Sequence, residues 1–290
     1  MSGGSQTTKS PVLDSHCHAW SRWPYPPPVP DEPSRGTIEQ LMYEMDNNGV
    51  SQALVVCAAI DLNTDNISYV VAGRARYPGR FHVLADLDCP WSSTYHSRGA
   101  EDRLRSLAER YELAGFTHYF KEHNDGWLLS EEAEALFSLA GERRLLASLA
   151  IGPAWQADLR RIALRHPDVA FLCHHLGDVR AEDSAGIAEV LASAAVTNIF
   201  VKASGFHYAS ARSWDAPWPD ALETFHRIFD AYGPGRLCWG SDFPASTRFC
   251  TFRQSLEAVR AHCDFLDPDD LRLVLGGTLG SILAGGSAGA

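Results

Sequence analysis

Two histidines one residue apart, His16 and His18, close a short apolar run that reads Val12-Leu13-Asp14-Ser15-His16-Cys17-His18. If that run is a β-strand, alternation puts both imidazoles on one face, where they can converge on a single point. Two converging imidazoles can hold a divalent metal or polarise a carbonyl oxygen. A second run ends Cys173-His174-His175-Leu176-Gly177. Adjacent strand residues point to opposite faces, so only one of its two histidines is expected to face inward, and periodicity leaves open which. A third run ends Cys238-Trp239-Gly240-Ser241-Asp242-Phe243-Pro244, delivering a carboxylate behind small residues that leave room beside it. Asp242 could instead simply cap the loop that follows. Taken together, these groups could draw electron density from a carbonyl and take a proton from water.

Other polar side chains stand near further strand ends. Lys202 and His207 are candidates to hold a substrate oxygen, and Lys121 lies in the polar stretch His118–Asp125 with His118 and Glu122. Arg248, with Arg22 and Arg253, could grip a substrate carboxylate through a guanidinium. Seven of the eight tryptophans fall in loops after strand candidates, and of these Trp20, Trp23 and Trp214 are expected to line a wide pocket for a ring-containing substrate.

These groups need a scaffold. Eight short apolar, β-branched runs recur: Val12–His18, Ala53–Ala58, Phe81–Asp86, Gly115–Phe120, Leu145–Ile151, Val169–His175, Asn198–Ser204 and Leu237–Asp242. Segments with helical spacing lie between them, such as Ala100–Leu113, Ser130–Gly141, Pro153–His166 and Asp183–Ala195. Asp267 as cap and Pro268 at the first helical position open a last helix running to Gly276–Gly277. Continuously apolar strands that alternate with helices imply a parallel sheet covered on both faces. The fold expected is α/β, a single-domain (β/α)8 TIM barrel over residues 11–284, with flexible tails at 1–10 and 285–290. An open doubly wound sheet is the alternative, but no Gly-x-Gly-x-x-Gly or phosphate loop supports it. In a barrel, chemistry sits where strands end and βα loops begin. The Pro-rich loop Ala19–Gly36 is expected to cover that mouth.

Of the 290 residues, 45% are hydrophobic and 21% charged, as in an ordinary globular protein. The net charge of −11 and the absence of any dense Lys/Arg cluster argue against nucleic-acid binding. Seven cysteines, none in a Cys-x-x-Cys pair, suggest neither a disulfide framework nor a zinc ribbon. No apolar run is long enough to span a bilayer. A cytoplasmic location with no membrane partner is therefore expected, and a homodimer stays open because many barrels pair through their outer helices.

The ordered markers Asp14-Ser15-His16-Cys17-His18, His175-Leu176-Gly177, Val201-Lys202-Ala203-Ser204-Gly205, Trp239-Gly240-Ser241-Asp242-Phe243-Pro244 and Leu275-Gly276-Gly277 resemble the amidohydrolase superfamily. Within it, the chain is similar to the amidohydrolase-related branch that includes aminocarboxymuconate-semialdehyde decarboxylase, pyrone-dicarboxylate lactonase and sugar-acid lactonases. The resemblance covers about Val12 to Leu283. It implies that His16 and His18 are metal ligands or substrate polarisers, that His175 is the sixth-strand histidine, and that Asp242 takes the proton from water. The metal set so implied is His16, His18, Asp242 and His175 around one divalent ion, zinc or manganese. Many members add a histidine at the end of the fifth strand, where this chain reads Ala147-Ser148-Leu149-Ala150, and His118 or Glu122 could replace it. The missing ligand makes a metal-free site the alternative. A late Asn common in the branch is Thr278 here. The expected activity is hydrolysis of a lactone, ester or amide in a cyclic or aromatic carbonyl compound. Decarboxylation or hydration of an aromatic-derived acid is the second reading, and a catalytically idle binding barrel the third.

Overall fold

The computed structural model describes residues 10–285. Most of both expected tails, residues 1–9 and 286–290, lies outside the described residues. Eight strands form one parallel sheet in sequence order: β1 Val12–Cys17, β2 Val50–Cys57, β3 Phe81–Asp88, β4 Gly115–Tyr119, β5 Leu146–Ala150, β6 Phe171–Cys173, β7 Ile199–Ala203 and β8 Leu237–Trp239. The architecture is the (β/α)8 barrel expected from the apolar runs. Each strand has two buried faces. Leu54, Val56, Leu84, Leu146, Leu172 and Phe200 fill the barrel interior, while Val55, Phe116, Leu149, Phe171 and Val201 pack outward against the helices.

Closure between β1 and β8 is made by side chains as well as by backbone bonds beyond the β8 strand, such as Asp242 N–H to the His16 carbonyl, since the ladder pairs β1 only with β2 and β8 only with β7 among the described residues. The Ser15 hydroxyl donates to the Cys238 carbonyl, and the Asp14 carboxylate accepts from the backbone N–H groups of His16 and Ser241 at 3.0 and 2.9 Å. The Asp242 N–H then donates to the His16 carbonyl at 2.7 Å, tying one future site residue to another. Gly240 is required at this seam. A Cβ there would stand 2.8 Å from the Cβ of His16.

Helix ends follow their local chemistry. Ser130, Asp183 and Asp267 each accept an N–H of the first turn through their side chains, Asp267 within a capping box. The final segment corrects one expectation. After Pro268–Arg272 and a widened turn over Leu273–Gly277, the chain continues as a helix, Thr278–Leu283, instead of its last helix ending at Gly276–Gly277. Gly276 makes the turn possible, since a Cβ there would overlap the Pro11 carbonyl oxygen. Leu279 is driven into the barrel floor with Leu13 and Leu54, so burial of apolar surface extends the helix.

Strands β6, β7 and β8 stop short of the expected ends. β6 ends at Cys173 and β8 at Trp239, so His174, His175 and Asp242 all stand beyond the ladder.

Candidate active site

The strand ends meet a cavity of about 720 Å³ whose floor is polar and whose wall is aromatic. His16 and His18 reach the floor from the end of β1, His175 from the turn after β6, and Asp242 from the loop after β8. The Asp242 Oδ1 atom lies 3.4 Å from His16 Nε2, 3.8 Å from His18 Nε2 and 3.9 Å from His175 Nε2. Asp242 is 2% exposed, and its second oxygen is buried without a hydrogen bond. Burial pushes its carboxyl up to about 7. Left-handed backbone at Asp242, with φ of 54°, turns the carboxylate back over the barrel, a conformation Asp tolerates better than most residues.

Both histidines after β6 turn toward His16, where alternation would send one of them away, although only His175 lines the cavity. The ring centroids of His174 and His175 lie 4.3 and 4.7 Å from that of His16. The correction has a physical cause. Alternation rules side-chain direction only inside the ladder, and the chain leaves it at Cys173 for a turn in which His175, Leu176, Gly177 and Asp178 all have positive φ, at 45°, 58°, 78° and 53°. A left-handed run of this kind costs about 1–2 kcal/mol for each non-glycine residue, so packing elsewhere must hold it. Gly205 permits part of that packing, because a Cβ there would press on the His175 ring.

Behind the imidazoles runs a buried hydrogen-bond chain. Lys202 Nζ lies 3.1 Å from His16 Nδ1 and donates to Ser148 Oγ at 2.6 Å, and Ser148 Oγ meets His174 Nε2 at 2.7 Å. Lys202 is fully buried, which lowers its ammonium to about 7. Ser148, on β5 where a further histidine was sought, spends its hydroxyl on this chain and does not reach the pocket lining. The imidazoles are held neutral. Burial lowers His16, His174 and His175 well below the ordinary histidine range, and His18 to about 4.

His16, His18 and Asp242 present ligand atoms within 4.8 Å of one another, as do His16, His174 and His175. The first set fits a divalent cation. His18 Nδ1 lies 3.0 Å from the Val56 carbonyl, so it carries the proton and leaves Nε2 as a lone pair facing a carboxylate oxygen. Two acceptors pointed at each other in a buried site, beside a second carboxylate oxygen with no partner, match the nitrogen and oxygen ligands of a catalytic ion. For His16 to offer Nε2 as well, its Nδ1–H must be accepted by Lys202 as a neutral amine.

The remaining expected residues divide. Trp20 lines the pocket, stacked on His18 at 4.8 Å with its Nε1 donating to the Ala58 carbonyl. Trp23 stands one layer back, edge-on to Tyr25 at 5.5 Å. His207 lies beneath the site, its Nε2 3.9 Å from Asp242 Oδ2, and Arg248 lies at the rim over the Tyr25 ring. Lys121 and Trp214 are corrections. The Lys121 ammonium sits over the outer Tyr95 ring at 4.7 Å, and Trp214 is 74% exposed outside the pocket lining. Nor do His118 or Glu122 replace a ligand. His118 points outward from β4 onto Trp127 and His96, and Glu122 is exposed, away from the pocket lining. Sequence reasoning passed over Tyr25, Tyr119 and Asp178, all of which line the pocket. Tyr119 carried a usable signal, being inward by alternation on β4. A larger cavity of about 910 Å³ opens at the opposite end of the barrel, lined by Arg74, His82 and Asp168, and none of the His/Asp cluster reaches it.

Comparison with known proteins agrees with this architecture. The sequence profile described as amidohydrolase matches residues 13–278. No curated protein matches the chain. Among solved structures, an amidohydrolase from Burkholderia multivorans with bound zinc superposes with a TM-score of 0.76 at 17% identity, over 94% of this chain and 99% of that one. A probable 2-pyrone-4,6-dicarboxylic acid hydrolase from Acinetobacter baumannii with citric acid bound gives 0.74 at 18%, over 94% and 99%. A 5-carboxyvanillate decarboxylase from Sphingomonas paucimobilis gives 0.65 at 14%, over 95% and 99%. At these identities the likeness is one of fold. No helix among the described residues is long and apolar enough to cross a membrane.

Proposed function

We propose that this chain, which belongs to the amidohydrolase family, is a hydrolase that opens a lactone, ester or amide bond in a cyclic or aromatic carbonyl compound, using the single barrel over residues 11–284. The observation that carries the reading is the convergence of Asp242 Oδ1 with ring nitrogens of His16, His18 and His175, within 3.9 Å, under an aromatic-walled pocket. The zinc bound in the Burkholderia structure and the citric acid bound in the Acinetobacter one support a cation and a small organic ligand for this fold.

Asp242 takes a proton from water as the water oxygen bonds to the carbonyl carbon. When the tetrahedral adduct collapses, the carbon–oxygen or carbon–nitrogen bond breaks and the same carboxyl returns the proton to the leaving atom. The products are a carboxylic acid and an alcohol or amine. His175, anchored by its Nδ1 contact with Ser204 Oγ at 3.1 Å, orients the water. Trp20 and Tyr25 hold the ring of the substrate and exclude solvent. His16, His18 and Asp242 would hold a divalent ion, zinc or manganese, which when bound supplies Lewis acidity to the carbonyl oxygen.

Release of carbon dioxide from an aromatic acid is the competing reaction. The pocket supports hydrolysis over it, because among the described residues that line it none is Lys or Arg, while Asp61, Asp178 and Asp242 are present. A carboxylate substrate would find no ammonium or guanidinium group in that lining to pair with. Assaying acid release from aryl esters and lactones beside carbon dioxide release from aromatic acids tests the choice. Carbon dioxide release without any ester or lactone cleavage would overturn the proposal.

Two further outcomes are expected. Only the ionised carboxyl can accept a proton, and burial holds Asp242 near 7. The value of kcat/KM should therefore rise about tenfold per pH unit up to that point and level off above it. A profile flat from about pH 5 to 7 in the metal-free protein would take Asp242 out of this role, whereas a bound cation would itself hold the carboxyl ionised over that range. Replacing Lys202 with Met fills the same volume without a buried charge, so Tm should hold or rise. Activity should fall about 10- to 100-fold, because His16 Nδ1 loses the partner that sets its tautomer. Unchanged turnover in that variant would reduce the Lys202 chain to a structural feature.

A further inference from the structure

Four buried groups behind the cavity floor form a chain in which every link has a direction. Lys202 Nζ lies 3.1 Å from His16 Nδ1 and 2.6 Å from Ser148 Oγ, and Ser148 Oγ lies 2.7 Å from His174 Nε2. All four side chains are buried, and no other hydrogen bond reaches these atoms among the described residues. His174 ends the chain. It is 0% exposed, it stands outside the cavity lining, and its Nδ1 has no partner.

Holding a cation through His16 Nε2 puts the His16 hydrogen on Nδ1, facing Lys202. An ammonium has no lone pair to receive it, so Lys202 must then be the neutral amine, accepting from His16 and giving a hydrogen to Ser148. The Ser148 hydroxyl still has its own hydrogen to place, and the acceptor within reach is His174 Nε2. That leaves the His174 hydrogen on Nδ1. The opposite direction is equally complete in hydrogen bonds. There His174 gives to Ser148, Ser148 gives to Lys202, and Lys202 gives to His16, whose hydrogen then occupies Nε2, where the cation would bind. Direction therefore decides whether His16 is a ligand.

We infer that the cation-holding protein fixes this chain in the direction His16 to Lys202 to Ser148 to His174, and that His174 is a positioning residue: by accepting the Ser148 hydrogen, it keeps the Lys202 lone pair free for His16. The inference rests on the cation placement proposed above and not on which bond is hydrolysed. It also separates the two histidine sets. With its hydrogen on Nδ1 and its Nε2 engaged by Ser148, His174 has no lone pair for an ion, so His16, His174 and His175 do not make a second cation site.

Zinc affinity, measured by titrating zinc into the purified chain against a competing chelator, tests the direction without requiring turnover. In His174→Leu the Ser148 hydrogen has no acceptor except the Lys202 lone pair, so His16 loses its partner and zinc should bind about 10- to 100-fold more weakly. His174→Gln keeps an oxygen in reach of Ser148 and should restore affinity. Removing the hydroxyl as well, in Ser148→Ala/His174→Leu, frees the lone pair again, so the second substitution should recover most of what the first one lost. Ser148→Ala alone should bind zinc much as the unaltered chain does. A chain that merely braces the site gives the contrary order, with Ser148→Ala weakened and the double variant weakest, and that result would overturn the inference. So would a double variant and a His174→Gln both as weak as His174→Leu, the pattern of a direct ligand. Should His174→Leu fail to fold, nitrogen-15 spectra of the zinc-loaded unaltered protein decide the point. The His174 signal, assigned by its loss in His174→Gln, should show hydrogen on Nδ1, and hydrogen on Nε2 would overturn the direction. If zinc does not bind the unaltered chain, the cation placement falls and this inference with it, whereas equal zinc affinity in every variant removes this inference alone. Zinc bound in the expected order without any ester or lactone cleavage would support this inference and count against the hydrolytic reading.

Discussion

Replacing Asp242 with Asn is expected to lower kcat by about 10²-fold or more while the barrel stays folded. The substitution is nearly isosteric, and Asn accepts the φ of 54° found at this position. The backbone N–H to the His16 carbonyl, which helps close β1 against β8, is untouched. What disappears is a group able to take a proton from water at neutral pH. Because Asp242 is also a candidate cation ligand, the variant should be measured with excess zinc, so that a loss of affinity is not read as a loss of the base. If Asp242 served only to shape its loop, the variant would show a lower Tm with near-normal kcat. That pattern would remove it from the mechanism.

Treating the protein with a chelator is expected to lower hydrolysis by about 10³-fold, with recovery on adding zinc or manganese. The tautomers make the test discriminating. His18 commits its Nδ1 proton to the Val56 carbonyl and is held neutral by burial, so its Nε2 has no hydrogen to offer a substrate oxygen. Without an ion, His16 is the member of the β1 pair that could polarise the carbonyl, and it would need a proton on Nε2 with Nδ1 accepting from a charged Lys202. With an ion, the same hydrogen bond must run the other way. Activity indifferent to chelation and to added metal would establish the metal-free arrangement, and Lys202→Met would then become the more damaging substitution.

Much of this was readable from the chain. The His-x-His pair, the carboxylate behind Gly240 and Ser241, and eight apolar runs separated by helical segments all follow from spacing and residue type. Trp20 was legible because it follows closely on the first strand. Lys121 and Trp214 looked equivalent to it on the same grounds, yet their loops carry them outward, Lys121 onto Tyr95 and Trp214 into solvent. Position after a strand says which end of the barrel a residue occupies, but not which way a long loop turns. The fifth-strand position shows the same limit. The absent histidine was plain, whereas the use of Ser148 to join Lys202 and His174 depended on three strands lying side by side.

The amino-acid order by itself determined the barrel and the end of it at which chemistry gathers, because hydrophobic periodicity and strand alternation are local and survive in any context that keeps the strand. Tertiary structure alone decided that His174 and His175 both face His16, that Asp178 joins them, and that Asp242 and Lys202 are pushed toward neutral pH. Those outcomes arise beyond the last ladder bond, where backbone direction and desolvation are set by whatever the neighbouring strands and loops place around each group.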